Sequence, residues 1–215
     1  MVKGHTLITF ALEREAAPFR KRMRVLEGIG VLITGMGVRS AKAAMAAYLV
    51  SRRPAAVLSC GFAGALTSDL KIGDLVFNCA EKDELHSRLL SLKAKPVKFY
   101  SSADFLVTTA QKHLAHVRCA AQAVEMESSA IQEDCLLAEI SCVTLRSISD
   151  LADEDLPLDF NLLRGVDQQL STTSILFAVL KNPSSIRGLL KLKRNAAVAA
   201  ESLANGLFKL LKGEE

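Results

Sequence analysis

The chain has 215 residues, half of them apolar and 23% charged, with no Trp and 2 Tyr. This apolar content excludes a disordered or collagen-like chain, and the scarcity of aromatics argues against a protein that binds single-stranded nucleic acid by base stacking. The net charge of +4 sits entirely in residues 181–215, which carry 7 basic and 3 acidic side chains, whereas residues 1–180 carry 20 of each and offer no polyanion-binding surface.

Residues 6–11 read as a short buried strand, and residues 13–21 as a charged helical turn. A second apolar strand at 30–34 runs into Gly35-Met36-Gly37 and then a helix over 40–51, capped by Ser40 and rich in alanine. Pro54 stops that helix. A third strand at 56–60 ends in Gly61-Phe62-Ala63-Gly64. Gly73-Asp74 makes a turn before a strand at 75–78. Residues 80–96 read as charged and irregular. A short strand follows at 105–108, then a strand at 121–126 leading into a helix over 127–140. A strand at 141–147 precedes polar residues 149–155. Residues 170–180 and 184–211 are helical by period, with Leu189, Leu192, Ala196, Ala199, Leu203, Leu207 and Leu210 on one stripe. Alternating strands and helices predict an α/β fold with a largely parallel sheet. With no internal repeat and no Gly-, Ser- or Pro-rich linker, residues 1–215 read as one domain with a C-terminal helical segment from about 170.

The five cysteines form no CxxC pair, and Cys60 and Cys142 lie inside apolar strands. Reduced, buried thiols in a cytoplasmic protein are the expectation. The N-terminal apolar stretch is too short for a signal sequence, and no run reaches the roughly 18 apolar residues of a membrane span. His113 and His116 stand three apart on a predicted helix without further ligands nearby, so no metal site is expected. Gly35-Met36-Gly37 suits close backbone approach to a phosphate or sugar. It lacks the third glycine of a dinucleotide fingerprint, because position 40 is Ser, so no nicotinamide cofactor is expected.

The informative residues are acids that follow apolar runs. Glu15 follows the first strand, Glu125 and Glu127 flank Met126, and Asp150 follows the strand holding Val143 and Leu145. Open α/β sheets bind ligands at the carboxyl ends of their strands. Several carboxylates there describe a pocket able to supply a general acid, a general base and an acceptor for sugar hydroxyls.

In order along residues 7–153, Ala11-Leu12-Glu13-Arg14-Glu15, Thr34-Gly35-Met36-Gly37, Gly61-Phe62-Ala63-Gly64 with Leu70-Lys71-Ile72-Gly73-Asp74, Val124-Glu125-Met126-Glu127, and Arg146-Ser147-Ile148-Ser149-Asp150-Leu151-Ala152-Asp153 resemble the nucleoside phosphorylase and nucleosidase superfamily. The layout is most similar to methylthioadenosine/S-adenosylhomocysteine nucleosidases. The resemblance implies a twisted, mixed, largely parallel sheet flanked by helices, no cofactor beyond phosphate as an optional co-substrate, and a homodimer or higher homo-oligomer. It implies that Asp150 donates a proton toward purine N7 and that Glu127 accepts from the ribose hydroxyls. Met126 would pack on the ribose, and Glu15 would position or activate water. Glu125, Phe62, Ala63, Gly64 and Ser149 would line the substrate. Gly35, Gly37 and Arg39 are the candidates for a phosphate or nucleophile pocket.

Two departures from the family pattern stand out. Phe62 replaces the usual Ser of the glycine motif, and Ser59 stands where the phosphorylases carry an arginine. The C-terminal run from Leu180-Lys181-Asn182-Pro183 through Leu189-Leu190-Lys191-Leu192, with Leu156-Pro157, is similar to hopanoid-associated phosphorylases, which release adenine from adenosylhopane. The expectation is therefore an enzyme that cleaves the N-glycosidic bond of a 5′-substituted adenosine in hopanoid biosynthesis. The alternatives are a methylthioadenosine/S-adenosylhomocysteine nucleosidase and a nucleoside-binding protein without turnover. The partners are a small nucleoside, lipid-tailed in the first reading, and an anionic membrane surface met by the basic face of the last helix. No nucleic-acid partner is expected.

Overall fold

The computed structural model describes residues 5–80, 84–163 and 185–213, together with residues 165 and 178. The first half of the chain gives β1 (Thr6–Phe10), α1 (Glu13–Arg22), a 3-10 turn (Met23–Val25), β2 (Ile29–Ile33), α2 (Gly37–Ser51), β3 (Ala56–Ala65), β4 (Leu75–Asn78) and α3 (Glu84–Ser91). The second half gives β5 (Lys95–Pro96), β6 (Phe99–Ser101), α4 (Thr109–Cys119), β7 (Ala123–Glu125), α5 (Ser128–Leu137), β8 (Ser141–Asp150) and α6 (Ser185–Lys212).

The strands make one mixed sheet in the order β2-β1-β3-β8-β4-β5. Parallel pairing joins β2, β1, β3 and β8, with Thr6 opposite both Ile29 and Ala56, and Ala56 opposite Ser141. β4 runs antiparallel to β8 and parallel to β5. β7 pairs antiparallel with the last residues of β3, Gly64 opposite Val124, and carries β6 alongside it. Helices cover both faces, so the central strands are apolar on both sides rather than alternating. On one face Ile8, Leu58 and Val143 meet Phe19 of α1, Leu89 of α3, and Leu203, Leu207 and Leu210 of α6. On the other, Leu7 and Val57 meet Ala41 and Met45 of α2, and Ile131 and Cys135 of α5. Each such fully buried Leu, Ile or Phe is worth about 1.5–3 kcal/mol. The stripe read on the last helix divides in two. Ala199, Leu203, Leu207 and Leu210 are buried, while Leu189, Leu192 and Ala196 are half-buried.

Several elements differ from expectation. α2 begins three residues before Ser40, and its N-cap is Met36, whose side chain makes no cap. The carboxylate of Glu127 caps it instead, accepting from Gly37 N at 2.8 Å, a partner 90 residues away that no local pattern reveals. β3 does not end at Cys60 but continues through the glycine motif to Ala65, because β8 itself runs on to Asp150 and supplies the ladder. The stretch expected to be irregular contains α3, whose Leu85 and Leu89, with Leu92 just beyond its end, pack into the core at helical spacing among charged neighbours. Residues 105–108 form no strand. The side chain of Asn161 takes both backbone groups of Phe105, at 2.8 and 2.9 Å, so the segment is held without a ladder. The helix predicted over 170–180 and the Leu180-Lys181-Asn182-Pro183 run lie outside the described residues, save residue 178. None of the five cysteines is in a disulfide, and burial pushes the Cys60 thiol up to about 12. Among the described residues no helix is long and apolar enough to cross a membrane.

Candidate active site

Carboxylates and buried cations gather at the carboxyl ends of β1, β3 and β8. Glu15 is the third residue of α1, where its carboxylate turns back to accept from Ala11 N at 3.1 Å and Leu12 N at 3.2 Å. This satisfies amide groups that begin the helix and fixes the side chain against the end of β1. Burial raises its carboxyl to about 7, with the Glu127 charge adding to the rise and the Arg146 guanidinium opposing it.

Arg146 lies on β8 opposite Gly61 of β3, with 1% of its surface exposed. Its Nη2 donates to Glu125 Oε2 at 2.8 Å and to Ser59 Oγ at 3.4 Å, and stands 3.9 Å from Glu127 Oε2. Nε and Nη1 of this guanidinium are buried without a partner among the described residues. A Cβ placed on Gly61 would stand 3.3 Å from Glu15 Oε2 and 3.6 Å from Arg146 Nη1. The glycine therefore lets the Glu15 carboxylate and the guanidinium close over the strand.

Glu125 is committed within the protein. It accepts from Arg146, from Glu127 N at 2.9 Å, from Ser128 N at 2.6 Å and from the Ser101 hydroxyl. Burial alone would raise its carboxyl, but Arg146 and these donors outweigh it and hold the group below the usual carboxylate range. Glu127, at the start of α5, is pushed the other way by burial and the Glu125 charge, against Arg146 and the Gly37 amide. Met126 between them is buried.

Asp150 ends β8 beside Gly64, where a Cβ would come within 2.8 Å of Asp150 Oδ2. Ser149 Oγ donates to Asp150 Oδ1 at 3.0 Å and lies 3.4 Å from the Ala63 carbonyl oxygen, a second acceptor for the same proton. Lys112, reaching in from α4 with 1% exposure, donates to Asp150 Oδ2 at 2.7 Å, to the Leu151 carbonyl at 2.6 Å and to the Glu154 carbonyl at 3.0 Å.

The expected residues Glu15, Glu127, Met126, Ala63, Gly64, Ser149 and Asp150 thus line one region of the sheet edge. Phe62 is half-buried in β3 opposite Ser147. Gly35 and Gly37 both hold left-handed backbone, φ +80° and +81°, and Gly37 touches the site through Glu127. Arg39 is exposed on the first turn of α2, and the guanidinium beside Glu15 is Arg146. Sequence reasoning gave no role to Arg146 or Lys112. Arg146 left a signal, a charged residue within a strand between the apolar Leu145 and Ile148, whereas Lys112 left none on a helix that reads as solvated. His113 is exposed, His116 Nδ1 meets the Ala121 carbonyl at 2.7 Å, and no described group of three or more His, Cys, Asp or Glu is placed to hold a metal ion.

Comparison with known proteins fits this arrangement. The sequence pattern of the family described as the phosphorylase superfamily matches residues 25–80 and 77–181. A 5′-methylthioadenosine/S-adenosylhomocysteine nucleosidase of Shewanella pealeana is 27% identical over 173 residues, covering 63% of this chain and 75% of that protein. The futalosine hydrolase of Helicobacter pylori superposes with a TM-score of 0.73 at 19% identity, over 99% of this chain and 98% of that one. A methylthioadenosine/S-adenosylhomocysteine nucleosidase of Colwellia psychrerythraea, solved with adenine, gives 0.69 at 17% identity over 97% and 95%.

Proposed function

The chain belongs to the phosphorylase superfamily, and we propose that it cleaves the N-glycosidic bond of a 5′-substituted adenosine and releases adenine. The observation that carries this reading is the pairing of a base and an acid along one strand. Glu15 with Arg146 closes on Gly61, and Asp150 closes on Gly64. Three residues of extended chain separate these points by roughly 10 Å, a span that fits a sugar and its base.

The bond breaks through an oxocarbenium-like sugar, and adenine leaves well only when its ring takes a proton. Asp150 gives that proton at N7, a contribution of about 10²–10⁴ in rate. Glu127 accepts from the ribose hydroxyls and strengthens its hold as positive charge builds on the sugar. Glu15, held near 7, is poised to take a proton from attacking water. The unpartnered Nη1 of Arg146 is a donor for the oxygen of that water or of phosphate. Glu125 holds Arg146 in place.

The nucleosidase relatives favour a 5′-thio substituent. A lipid-tailed substrate, adenosylhopane, is the second reading, and one observation favours it. The first turns of α6 expose Ile186 and Leu190 beside Arg187, Lys193 and Arg194, while Lys191 pairs with Glu154 at 2.5 Å and Gly188 packs on Pro157, all next to the loop that follows Asp150. The test is adenine release, followed by chromatography, from methylthioadenosine and adenosylhopane, each with and without phosphate. Release from one identifies the 5′ group. Binding of both with release from neither overturns the catalytic reading and leaves a nucleoside-binding protein.

A further inference from the structure

Buried lysines are rare unless every proton has a partner. Lys112 satisfies that condition in an unusual place. Its three ammonium protons go to Asp150 Oδ2, the Leu151 carbonyl and the Glu154 carbonyl, and nothing else reaches Asp150 Oδ2 among the bonds described. Lys112 Nζ and Asp150 Oδ2 stand 2.7 Å apart as an ion pair, and the carboxylate half of such a pair has no proton of its own to give a purine.

We propose that Lys112 is the proton source behind Asp150, a positioning residue that charges the acid for each turnover. This rests on the reading of Asp150 as the acid that protonates the leaving base. A proton on Lys112 Nζ passes to Asp150 Oδ2. As the C1′–N9 bond breaks, its electron pair moves into the purine, and the carboxyl group hands its proton to N7. Lys112 is left as a neutral amine and regains its proton from water after adenine departs.

The three-point cradle is satisfied in both charge states. The ammonium donates to three oxygens. The neutral amine keeps two N–H groups for the Leu151 and Glu154 carbonyls and turns its lone pair to the Asp150 hydroxyl. A shift of one proton converts one state into the other with no side chain moving and no buried polar group orphaned. A lysine serving only to anchor the loop at 151–154 needs no bond to the catalytic carboxylate.

The test compares leaving groups in one preparation. Wild-type protein, Lys112→Met and Lys112→Arg are each assayed on a 5′-substituted adenosine, whose base must be protonated, and on 4-nitrophenyl riboside, whose phenolate leaves without a proton. The ratio of the two rates does not depend on the fraction of protein that is folded. The expected result is a loss of about 10²-fold on the adenosine with Lys112→Met and little change on the nitrophenyl riboside. Lys112→Arg keeps the ion pair but not a removable proton, so it shows the same selective loss. Equal losses on both substrates, no loss on either, or recovery by Lys112→Arg overturns the proposal. Wild-type protein that releases no adenine from any substrate overturns the function itself, a different result from an active wild type with an indifferent Lys112.

Discussion

Arg146 Nη2 meets Glu125 Oε2 at 2.8 Å with solvent reaching 1% of one side chain and 0% of the other. The pair sits under the candidate site and fixes the guanidinium edge that faces Glu15. Removing Glu125 leaves Arg146 with the longer 3.9 Å contact to Glu127 Oε2 as its carboxylate partner, and breaking a buried pair costs about 3–5 kcal/mol. Glu125→Gln is therefore expected to lower the denaturation midpoint markedly, and urea unfolding followed by circular dichroism measures it. A midpoint unchanged from wild type would show that the pair is not holding the fold.

Asp150→Asn keeps the size of the side chain and its bond from Ser149 but removes the proton. Adenine release is expected to fall by about 10² or more in kcat, read on protein shown by circular dichroism to be folded, because Lys112 loses its ion-pair partner. Near-normal turnover removes Asp150 from the acid role.

Gly64→Ala tests the same carboxylate by displacement. The added methyl would lie 2.8 Å from Asp150 Oδ2 and 3.2 Å from Val124 Cγ1, so the carboxylate has to move. Misplacing a reacting group by about 1 Å can cost about 10²-fold. The expected variant folds, binds nucleoside and turns over slowly. Full activity would mean that Asp150 tolerates displacement.

Glu15 carries a pH signature. Its carboxyl titrates near 4.5 in the unfolded chain and about 7 in the folded one. Between those values the folded protein binds the extra proton, so this residue makes stability fall as pH rises from 4.5 to 7 and then level off. The full effect is on the order of 3 kcal/mol. Glu15→Gln removes it and is expected to melt higher than wild type at pH 8, with the two converging near pH 4.5. The same variant is expected to lose hydrolysis strongly and phosphorolysis less, because phosphate arrives already anionic. Equal loss in both assays would show that Glu15 holds substrate rather than activating water.

β1 to β4, β7 and β8 were legible because they hold apolar runs between turn signals, and β4 was read to the residue, whereas β5 and β6 are too short to leave a pattern. The site carboxylates were legible because Glu15, Glu127 and Asp150 each interrupt or end such a run. The rest depended on partners distant in sequence. The start of α2 is set by Glu127, the order of residues 105–108 by Asn161, and the length of β3 by a strand that arrives 80 residues later. None of these leaves a mark in local periodicity. Lys112 was invisible for the opposite reason, since a lysine between Gln111 and His113 on a polar helix matches a solvated face in every local respect.

The bond from Gly37 N to Glu127 Oε1 gives the protein a built-in spectroscopic reporter. The amide that opens α2 rests on the same carboxylate that is to grip a ribose, so a ligand drawing on Glu127 redistributes charge across that hydrogen bond. The Gly37 amide resonance is then the place where occupancy of the sugar subsite registers as a chemical-shift change and as altered exchange with deuterium, even for a ligand that is never turned over.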